Sequence, residues 1–304
     1  MEKMKRYKKL IILYLPILIV FNCAIEISNE FDNEVYDFST LNLDTDSVFS
    51  IISWNIEHFP KEYDLTIEII INAINAMNPD VICLQEIENS DYFIELVEKL
   101  DNYKGFLSES AYFNLNLALI YKSELLVEEV FEIYIDNKSA FPRPPQVLKI
   151  NYNNENIIVI NNHLKAQESG IDDDQRRIAA SNLLEDYINL YYENENVIII
   201  GDLNDEITDA ENENVFWNFI SKPESYLFVD MEVAQDTSMY YWSLPDWNSH
   251  VDHIIINNHL FDNYLHSNSM YKTIRIDDYF FDGWNGYDMI VSDHRPIALK
   301  LYFN

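Results

Sequence analysis

Six short stretches of the sequence place carboxylates, amides and imidazoles at the polar ends of apolar runs. They are Trp54-Asn55, Leu84-Gln85-Glu86, Asn162-His163-Leu164, Gly201-Asp202-Leu203-Asn204, Val251-Asp252-His253 and Ser292-Asp293-His294. A hard divalent ion such as Mg²⁺ prefers oxygen ligands, commonly one or two carboxylates with water and substrate phosphate. Hydrolysis of a phosphodiester needs charge neutralised on its non-bridging oxygens, an activated water and a proton for the leaving oxygen. These residue types can supply all three.

Each of these stretches is a weak indication when it is taken alone. A single glutamate at a strand end is usually solvated, and a single histidine after an apolar strand is usually a surface or hydrogen-bonded residue. The stretch Gly-Asp-Leu-Asn by itself is typical of a turn, where glycine and asparagine serve the backbone. The order and the combination of the six stretches therefore carry the information.

The apolar runs that must position these residues predict alternating strands and helices. Helical periodicity predicts helices over Asp64–Met77, Asp91–Leu100 and Asp172–Tyr192. Asn153-Asn154 predicts a hairpin turn. Strands are predicted over Phe49–Asn55, Val81–Gln85, Leu117–Tyr121, Val127–Ile135, Val147–Tyr152, Ile157–Asn161, Val197–Ile200, Leu227–Val233, Val251–Asn257 and Ile297–Phe303. This pattern indicates one layered α/β domain over residues 49–304.

In this order the six stretches resemble the motifs of the endonuclease/exonuclease/phosphatase superfamily. That group includes deoxyribonuclease I, the exonuclease III-type abasic-site endonucleases, neutral sphingomyelinases and inositol polyphosphate 5-phosphatases. The matching motifs extend over residues 53–296, which is nearly the whole predicted domain. The resemblance implies a four-layer α/β sandwich of two facing mixed β-sheets flanked by helices, with the active site at one edge of the sheets.

The resemblance also implies a metal site. Glu86 is the expected main metal ligand, and Asn55 and Asp293 are expected to hold the ion or its waters. Mg²⁺ is the expected ion, with Mn²⁺ or Ca²⁺ as alternatives.

The catalytic residues follow from the same resemblance. Asp202 is expected to orient or deprotonate water, and Asn204 to donate to a phosphate oxygen. His294 is expected to pair with Asp252, which fixes its tautomer and favours its charged form. His163 is the second imidazole, contacting phosphate or protonating the leaving group. The resemblance does not assign the general base.

One stretch departs from the family pattern. Deoxyribonuclease I-like members support the first histidine with the glutamate of an Arg-Glu-Pro stretch, and this chain has Arg143-Pro144-Pro145 at the corresponding place. His163 therefore lacks the expected carboxylate partner. Arg143 either binds substrate phosphate or pairs with one of the many surface acids. His250 and His253, close to Asp252, are interpreted as structural.

The N-terminus has the pattern of a bacterial export signal. Residues 2–9 are basic, Leu10–Phe21 is almost wholly apolar, and Cys23 follows. We predict a signal peptide over residues 1–22 and a lipidated Cys23, although Phe21 and Asn22 are larger than the residues such cleavage sites favour. An ordinary cleaved signal and an uncleaved anchor are the alternatives. The protein is thus expected to be exported, either as a membrane-anchored lipoprotein or in secreted form.

Acidic residues outnumber basic residues in the rest of the chain. Residues 24–50 contain seven acids and no Lys or Arg, so residues 23–48 are predicted to be a solvated acidic tether. The whole chain has 20 basic and 52 acidic residues, a formal net charge of -32. Such a surface repels polyanions at long range, which argues against non-specific nucleic-acid binding through a basic face. A metal ion can still supply local positive charge for a phosphate.

Three functions are compatible with these features. The leading one is a divalent-metal-dependent phosphodiesterase acting on DNA or RNA. The second is a phospholipid-directed hydrolase of the sphingomyelinase kind, or a phosphatase. The third is a surface-anchored binding protein without catalysis. The expected partners are a phosphodiester substrate and, through the N-terminal anchor, the bacterial membrane, and we expect a monomer.

Overall fold

The described part of the chain contains twelve strands, which form two sheets. The computed structural model describes residues 36–43, 48–168 and 171–303, so the predictions on the leader and Cys23 lie outside the described residues. In chain order the strands are β1 Phe49–Phe59, β2 Val81–Ile87, β3 Tyr103–Leu107, β4 Asn116–Lys122, β5 Leu126–Glu132, β6 Gln146–Tyr152, β7 Glu155–His163, β8 Asn196–Asp202, β9 Tyr226–Phe228, β10 Asp252–Asn257, β11 Met270–Thr273 and β12 Ile297–Leu301.

Both sheets are six-stranded and mixed. The first has the strand order β11-β12-β1-β2-β4-β3, and the second has the order β5-β6-β7-β8-β10-β9. The pairs β1–β2 and β7–β8 are parallel, and their neighbours are antiparallel. Because the carboxyl ends of two parallel strands meet at the same edge of a sheet, each sheet collects its motif residues at one edge.

Helices cover the outer faces of the sheets. They are α1 Tyr63–Met77, α2 Ser90–Lys99, α3 Ile171–Tyr191, α4 Trp217–Ile220, α5 Met231–Ala234, α6 Phe261–Tyr264 and α7 Trp284–Ile290. Side chains of α1, α2 and α7 pack with the outward residues of the first sheet. Those of α3 and α4 pack with the outward residues of the second sheet. The predicted four-layer sandwich is therefore confirmed. Within the described residues, no helix is both long and apolar enough to cross a bilayer.

Strand alternation creates the third core, between the sheets. On β1, Phe49 and Ile51 point toward the second sheet, whereas Ile52 and Trp54 pack under the helices. Successive side chains of a strand point to opposite faces, so a strand covered on both faces must be apolar on both. Cys83 lies in the inter-sheet core as a buried free thiol.

Most predicted elements are confirmed, including the β6–β7 hairpin, where Asn153 and Asn154 both have positive φ. One strand prediction is wrong beyond its first residues. The predicted strand Leu227–Val233 ends at Phe228, and α5 begins at Met231. The physical reason is Asp230, which is fully buried and turns the chain by accepting the backbone N–H of Ile254.

The edge strands β3 and β11 were not predicted. They lie at the two ends of the first sheet, and all of their residues except Thr273 are at least partly exposed. An edge strand needs fewer apolar side chains than a central one, so it leaves no apolar run in the sequence.

Part of the predicted tether belongs to the domain. Phe38, Leu41 and Leu43 are buried and join the core between the first sheet and its helices. The ring of Tyr36 lies 4.6 Å from that of Phe280. For residues 36–43 the prediction of a solvated tether is therefore wrong, because four apolar side chains among the acids suffice to dock the segment.

We predict that the docked segment stabilises the domain. Phe38→Ala should lower the free energy of unfolding by about 2 kcal/mol or more, because it leaves a cavity in a buried apolar contact. Thr40→Ala, at an exposed position of the same segment, should change it by less than about 0.5 kcal/mol. Urea denaturation of the full-length chain measures both. Equal stability of the two variants would show that the segment contributes nothing.

Candidate active site

The inter-sheet layer changes from apolar to polar toward one edge. Strand register sets side by side three of the predicted residues: β7 pairs His163 with Asp202, and β10 pairs Asp252 with the same Asp202. The polar side chains at this edge are Ser53, Asn55, Gln85, Asn161, His163, Asp202 and Asp252, and all are buried. The sheets thus bring the predicted motifs of both halves of the chain to one place.

Asn55 joins the two sheets at this edge. Its Nδ2 donates to Glu86 Oε1 at 3.1 Å and to Asp202 Oδ2 at 2.9 Å. Its Oδ1 accepts the backbone N–H of Glu57 at 3.0 Å. In this arrangement the amide orients the two carboxylates, and a direct contact between Asn55 and a metal ion stays a prediction.

Glu86 projects into the site from a strained backbone. Its φ is 64°, in the left-handed region, and the pairing of β2 shifts register between Leu84 and Ile87. Such a bulge re-aims a side chain at the end of a strand, and left-handed backbone outside glycine concentrates at functional sites. The backbone N–H of His58 donates to Glu86 Oε2 at 3.2 Å. The carboxylate is therefore held at the edge of the sheet with part of its surface open.

His294 and Asp252 form the predicted pair. His294 Nδ1 lies 2.7 Å from Asp252 Oδ2, and its Nε2 lies 3.8 Å from Asp202 Oδ2. Burial alone would lower the pKa of His294, but the carboxylates of Asp252 and Asp202 raise it well above its usual range. His294 is therefore an imidazolium whose Nδ1–H donates to Asp252 and whose Nε2–H faces the site.

His163 is the second imidazole, and its state is different. Its Nε2 lies 3.4 Å from Asp202 Oδ2 and 3.8 Å from Glu86 Oε1. Its Nδ1 is buried without a hydrogen-bond partner in the described part of the chain. Burial lowers the pKa of His163 well below its usual range, and the charges of Arg143 and His294 lower it further. The imidazole is neutral, which agrees with the missing acid next to Arg143.

The loop after β8 is shaped by its backbone. Gly201 has a φ of 145°, and a Cβ at this position would lie 2.0 Å from the carbonyl oxygen of Asn162. Asn204 has a φ of 55°; its backbone N–H donates to Asp202 Oδ1 at 3.0 Å, and its Nδ2 donates to the carbonyl of Leu164 at 3.2 Å. The Gly-Asp-Leu-Asn stretch is thus a tight turn and a carrier of site residues at once.

Arg143 lies in the wall of the site without a carboxylate partner. Its Nη1 donates to the carbonyl of Leu164 at 3.2 Å, and its Nε is buried and unpaired. Among the described residues no carboxylate oxygen lies within 4.0 Å of its guanidinium nitrogens, so the surface ion pair that was one of our two expectations is not observed. Its position leaves the phosphate-binding alternative.

Sequence reasoning missed several supporting residues. Glu57 accepts the backbone N–H of Asp293 at 2.9 Å and pairs with Lys61. The hydroxyl oxygen of Ser243 accepts the backbone N–H of Asp252 at 3.2 Å. The Glu57–Lys61 spacing of four residues is a detectable signal. No local pattern marks Ser243, although it precedes Asp252 by only nine residues.

A cavity of about 550 Å³ opens over these residues. Its lining includes the predicted residues Glu86, Arg143, His163, Asp202 and His294. It also includes residues that the motifs did not indicate, namely Gln167, Glu206, Asp209, Leu244, Trp247 and Ser249. Asp293 also lines the cavity, so every predicted site residue of the domain either faces it or supports a residue that does.

The carboxylates of the cavity suit a divalent cation. Burial raises the pKa of Asp202 to about 7, with Asp252 and Glu86 adding to the rise and His294 opposing it. Burial likewise raises the pKa of Asp293 to about 6, and Glu57 and Glu86 add to it. This crowding of negative charge is what a cation relieves, and carboxylate oxygens are the ligands that hard divalent ions prefer.

Among the described residues, two groups of side chains bring three ligand-type atoms together. One is Asp202, Asp252 and His294, but here the imidazolium of His294 already bonds Asp252 and would repel a cation. The other is Asp230, His250 and His253, which lies away from the cavity. The partly open carboxylates of Glu86 and Asp293 are therefore better placed to hold an ion with its waters.

Comparison with known proteins agrees with the fold and the motifs. The model of the Endonuclease/Exonuclease/phosphatase family matches residues 52–294. No curated protein sequence matches the chain. Among solved structures, zebrafish (D. rerio) TDP2 complexed with single-strand DNA product is 17% identical, with a TM-score of 0.65, over 85% of this chain and 100% of that one.

Two further solved structures are similar to this chain. The human Nocturnin catalytic domain with bound sulfate is 17% identical, with a TM-score of 0.63, over 85% of this chain and 94% of that one. A mannosyl-6-phosphatase of Bacteroides thetaiotaomicron is 14% identical, with a TM-score of 0.58, over 84% of this chain and 100% of that one. At these identities the likeness shows the fold.

We predict that the crowded carboxylates make the metal-free protein less stable as pH rises. The pKa of Asp202 is higher in the folded chain, about 7, than in the unfolded chain, about 3.9. The folded state thus binds the extra proton between these values, and its stability falls as pH rises from about 4 to 7.

Melting temperatures at pH 5 and pH 8, in EDTA and in excess Mg²⁺, test this prediction. Mg²⁺ should raise the melting temperature more at pH 8 than at pH 5, and Asp202→Asn should reduce the loss of stability with pH in EDTA. Asp262→Asn, on an exposed carboxylate remote from the cavity, is the matched control. A wild-type response to Mg²⁺ that is equal at the two pH values would contradict it.

Proposed function

Because the chain belongs to the endonuclease/exonuclease/phosphatase family, we propose that it hydrolyses a phosphodiester with a divalent cation held by Glu86 and Asp293. The family and its structural neighbours support a phosphoester hydrolase. The observation that carries the proposal is the Asn55 bridge, which sets Glu86 and Asp202 beside the His294–Asp252 pair. Mg²⁺ is the proposed ion, with Mn²⁺ or Ca²⁺ as alternatives.

The residues divide the reaction between them. Arg143 and the amide of Asn204 bind non-bridging phosphate oxygens. A cation held by Glu86 and Asp293 would neutralise charge on the phosphate and make a bound water more acidic. Asp202, with a pKa of about 7, orients the water and takes its proton as the water oxygen bonds to phosphorus. As the bond from phosphorus to the leaving oxygen breaks, the Nε2–H of His294 supplies the proton for that oxygen. Neutral His163 donates a hydrogen bond to the phosphate.

The substrate class is the finer part of the proposal. A nucleic acid is the first candidate, supported by the shared fold of zebrafish TDP2 in complex with single-strand DNA. The cavity favours a short strand end over a long duplex, because Glu206 and Asp209 in its wall repel further phosphates.

A phospholipid is the second candidate, and Trp247 is the observation that favours it. Trp247 is 76% exposed and lines the cavity, as do Glu206 and Asp209. Exposed tryptophan with nearby carboxylates suits a zwitterionic head group. Cleavage of sphingomyelin vesicles without cleavage of a single-stranded oligonucleotide would replace the first candidate by the second.

We predict that Glu86→Ala removes at least about 100-fold of the activity, because it deletes the main ligand of the cation. The full-length chain is assayed with bis(p-nitrophenyl) phosphate and p-nitrophenyl phosphate, in Mg²⁺ and in EDTA. Glu88→Ala, an exposed carboxylate after the same strand, should retain activity. Diester cleavage that persists in Glu86→Ala would overturn the proposal, and cleavage of the monoester alone would redirect it to a phosphatase.

The two histidines should differ in their importance. His294→Asn should lower kcat by about 10²- to 10⁴-fold, the range for loss of a general acid, whereas His163→Asn should cost about 10- to 100-fold. A leaving group of lower pKa should rescue His294→Asn more than His163→Asn, because it needs no proton. The reverse order of rescue would assign the acid to His163. Substrate binding by calorimetry without any turnover would instead support the non-catalytic binding protein.

The location of the protein in the cell is a separate proposal. We propose an exported protein that is anchored to the membrane through lipidated Cys23, with a single copy of the chain as the active unit. Metabolic labelling with a fatty acid should mark the wild type and leave Cys23→Ser unlabelled. An unlabelled wild type would rule out the lipoprotein and leave secretion or an uncleaved anchor.

A further inference from the structure

Three buried titratable side chains form a cluster behind β10, where the proposed reaction does not use them. Asp230, His250 and His253 are each at most 2% exposed, and we call them the Asp230 cluster. Asp230 Oδ2 lies 2.6 Å from His253 Nδ1 and 3.3 Å from His250 Nε2. His253 alternates with Asp252 along the strand, so it points to the helix side while Asp252 points to the cavity. The interpretation of both histidines as structural agrees with these contacts.

Hydrogen bonds fix the protonation of both imidazoles. His253 Nδ1 faces the carboxylate of Asp230, and its Nε2 lies 2.8 Å from the carbonyl oxygen of Asp205. Both partners are acceptors, so both ring nitrogens must carry hydrogen and His253 is an imidazolium. His250 Nδ1 accepts the backbone N–H of Ser243 at 3.1 Å, so its hydrogen is on Nε2 and the ring is neutral.

These bonds leave no lone pair of the imidazoles for a metal ion. The three residues offer ligand atoms close enough together to suggest one. However, the 2.6 Å contact between Asp230 and His253 is that of a charge-assisted hydrogen bond. The cluster is therefore complete as a buried ion pair with one neutral imidazole.

The cluster holds the loop that carries Asp202 and Asn204. The Nε2–H of His253 donates to the carbonyl of Asp205, the residue that follows Asn204. The backbone N–H of Leu203 donates to the carbonyl of Val251 at 2.9 Å. The loop is thus tied to the strand that bears Asp252 from both sides of Asn204.

The cluster also reaches the His294–Asp252 pair, through Ser243. The backbone N–H of Ser243 donates to His250, and its hydroxyl oxygen accepts the backbone N–H of Asp252 at 3.2 Å. Its carbonyl accepts the backbone N–H of Arg295, next to His294, at 2.7 Å. One buried residue therefore contacts the segments of both members of the pair.

We propose that the Asp230 cluster is a positioning device, which sets Asp202 and Asn204 at the working distance from the His294–Asp252 pair. The inference rests on the proposed function of the cavity. Reacting groups must be held within fractions of an ångström, so a small displacement of either segment lowers the rate without removing any catalytic group. None of the three side chains touches substrate in this proposal.

The test compares three variants of the full-length chain with bis(p-nitrophenyl) phosphate and Mg²⁺, well below the unfolding temperature of each. His253→Gln and Asp230→Asn should each lower kcat by about tenfold or more and change KM by less than about threefold. Ser243→Ala, which keeps the ion pair, should lower kcat by about threefold to tenfold. The stabilisation by Mg²⁺ should be unchanged in all three.

Asp80→Asn is the matched control. Asp80 is also buried and paired, with Lys122 at 3.0 Å, but it lies at the opposite end of β2 from Glu86. It should lose stability and keep kcat. A kcat equal to wild type in folded His253→Gln and Ser243→Ala would overturn the proposal, as would a second bound ion, detected by elemental analysis, that disappears in His253→Gln.

A measurement without turnover separates this inference from the proposed function. The Nδ1 proton of His294, bonded to Asp252, should give a strongly downfield NMR signal in the wild type. Ser243→Ala should shift that signal, whereas Asp80→Asn should not. If the wild type hydrolyses no phosphodiester, the proposed function is wrong. The change in the NMR signal of His294 would still show whether Ser243 positions the His294–Asp252 pair. An unshifted signal in Ser243→Ala would overturn the positioning role.

Discussion

The active site depends on one amide that crosses the seam between two sheets. Asn55 donates to Glu86 on its own sheet side and to Asp202 on the other, so two carboxylates that repel each other are held at a fixed separation. Behind it, buried amides continue the connection: Gln85 donates to Asn161 at 2.8 Å, and Asn161 donates to Gln146 at 3.1 Å. Because a buried amide must be satisfied, this chain of bonds also selects the register in which the sheets face each other.

The carboxylates at the seam differ in whether each has a cationic side chain of its own as a partner. Asp252 forms an ion pair with the imidazolium of His294, Glu57 with Lys61, and Asp205 with Arg177. Asp202 and Asp293 lie between these pairs without a cation of their own among the described residues beyond His294, and their pKa values are raised to about 7 and about 6. The fold therefore places carboxylates without full charge compensation where they could bind a divalent ion and accept a proton from an attacking water.

Much of the fold and most of the site residues could be predicted from the sequence, for physical reasons that particular residues show. Parallel strands end at the same edge of a sheet, so His163 and Asp202 lie side by side. Successive side chains of a strand point to opposite faces, so His253 points away from the face that Asp252 occupies. The edge strands, the docked residues 36–43 and the turn at Asp230 could not be predicted, because contacts distant in sequence decide them. Asp230 shows this most clearly: an apolar run predicts a strand, and one buried ion pair ends it.

The net charge of -32 does not conflict with an anionic substrate. Most basic groups near the cavity are already committed: Arg177 bonds Asp205 and Asp174, and Arg295 bonds Asp277. Arg143 differs, since within the described residues it is held by a carbonyl and no carboxylate reaches it. Repulsion between exposed charges is largely screened beyond about 8 Å in physiological salt, whereas the partly buried guanidinium of Arg143 acts at contact distance. Under the proposed function, affinity for phosphate is thus local, and the acidic exterior would select against long polyanions without preventing the chemistry.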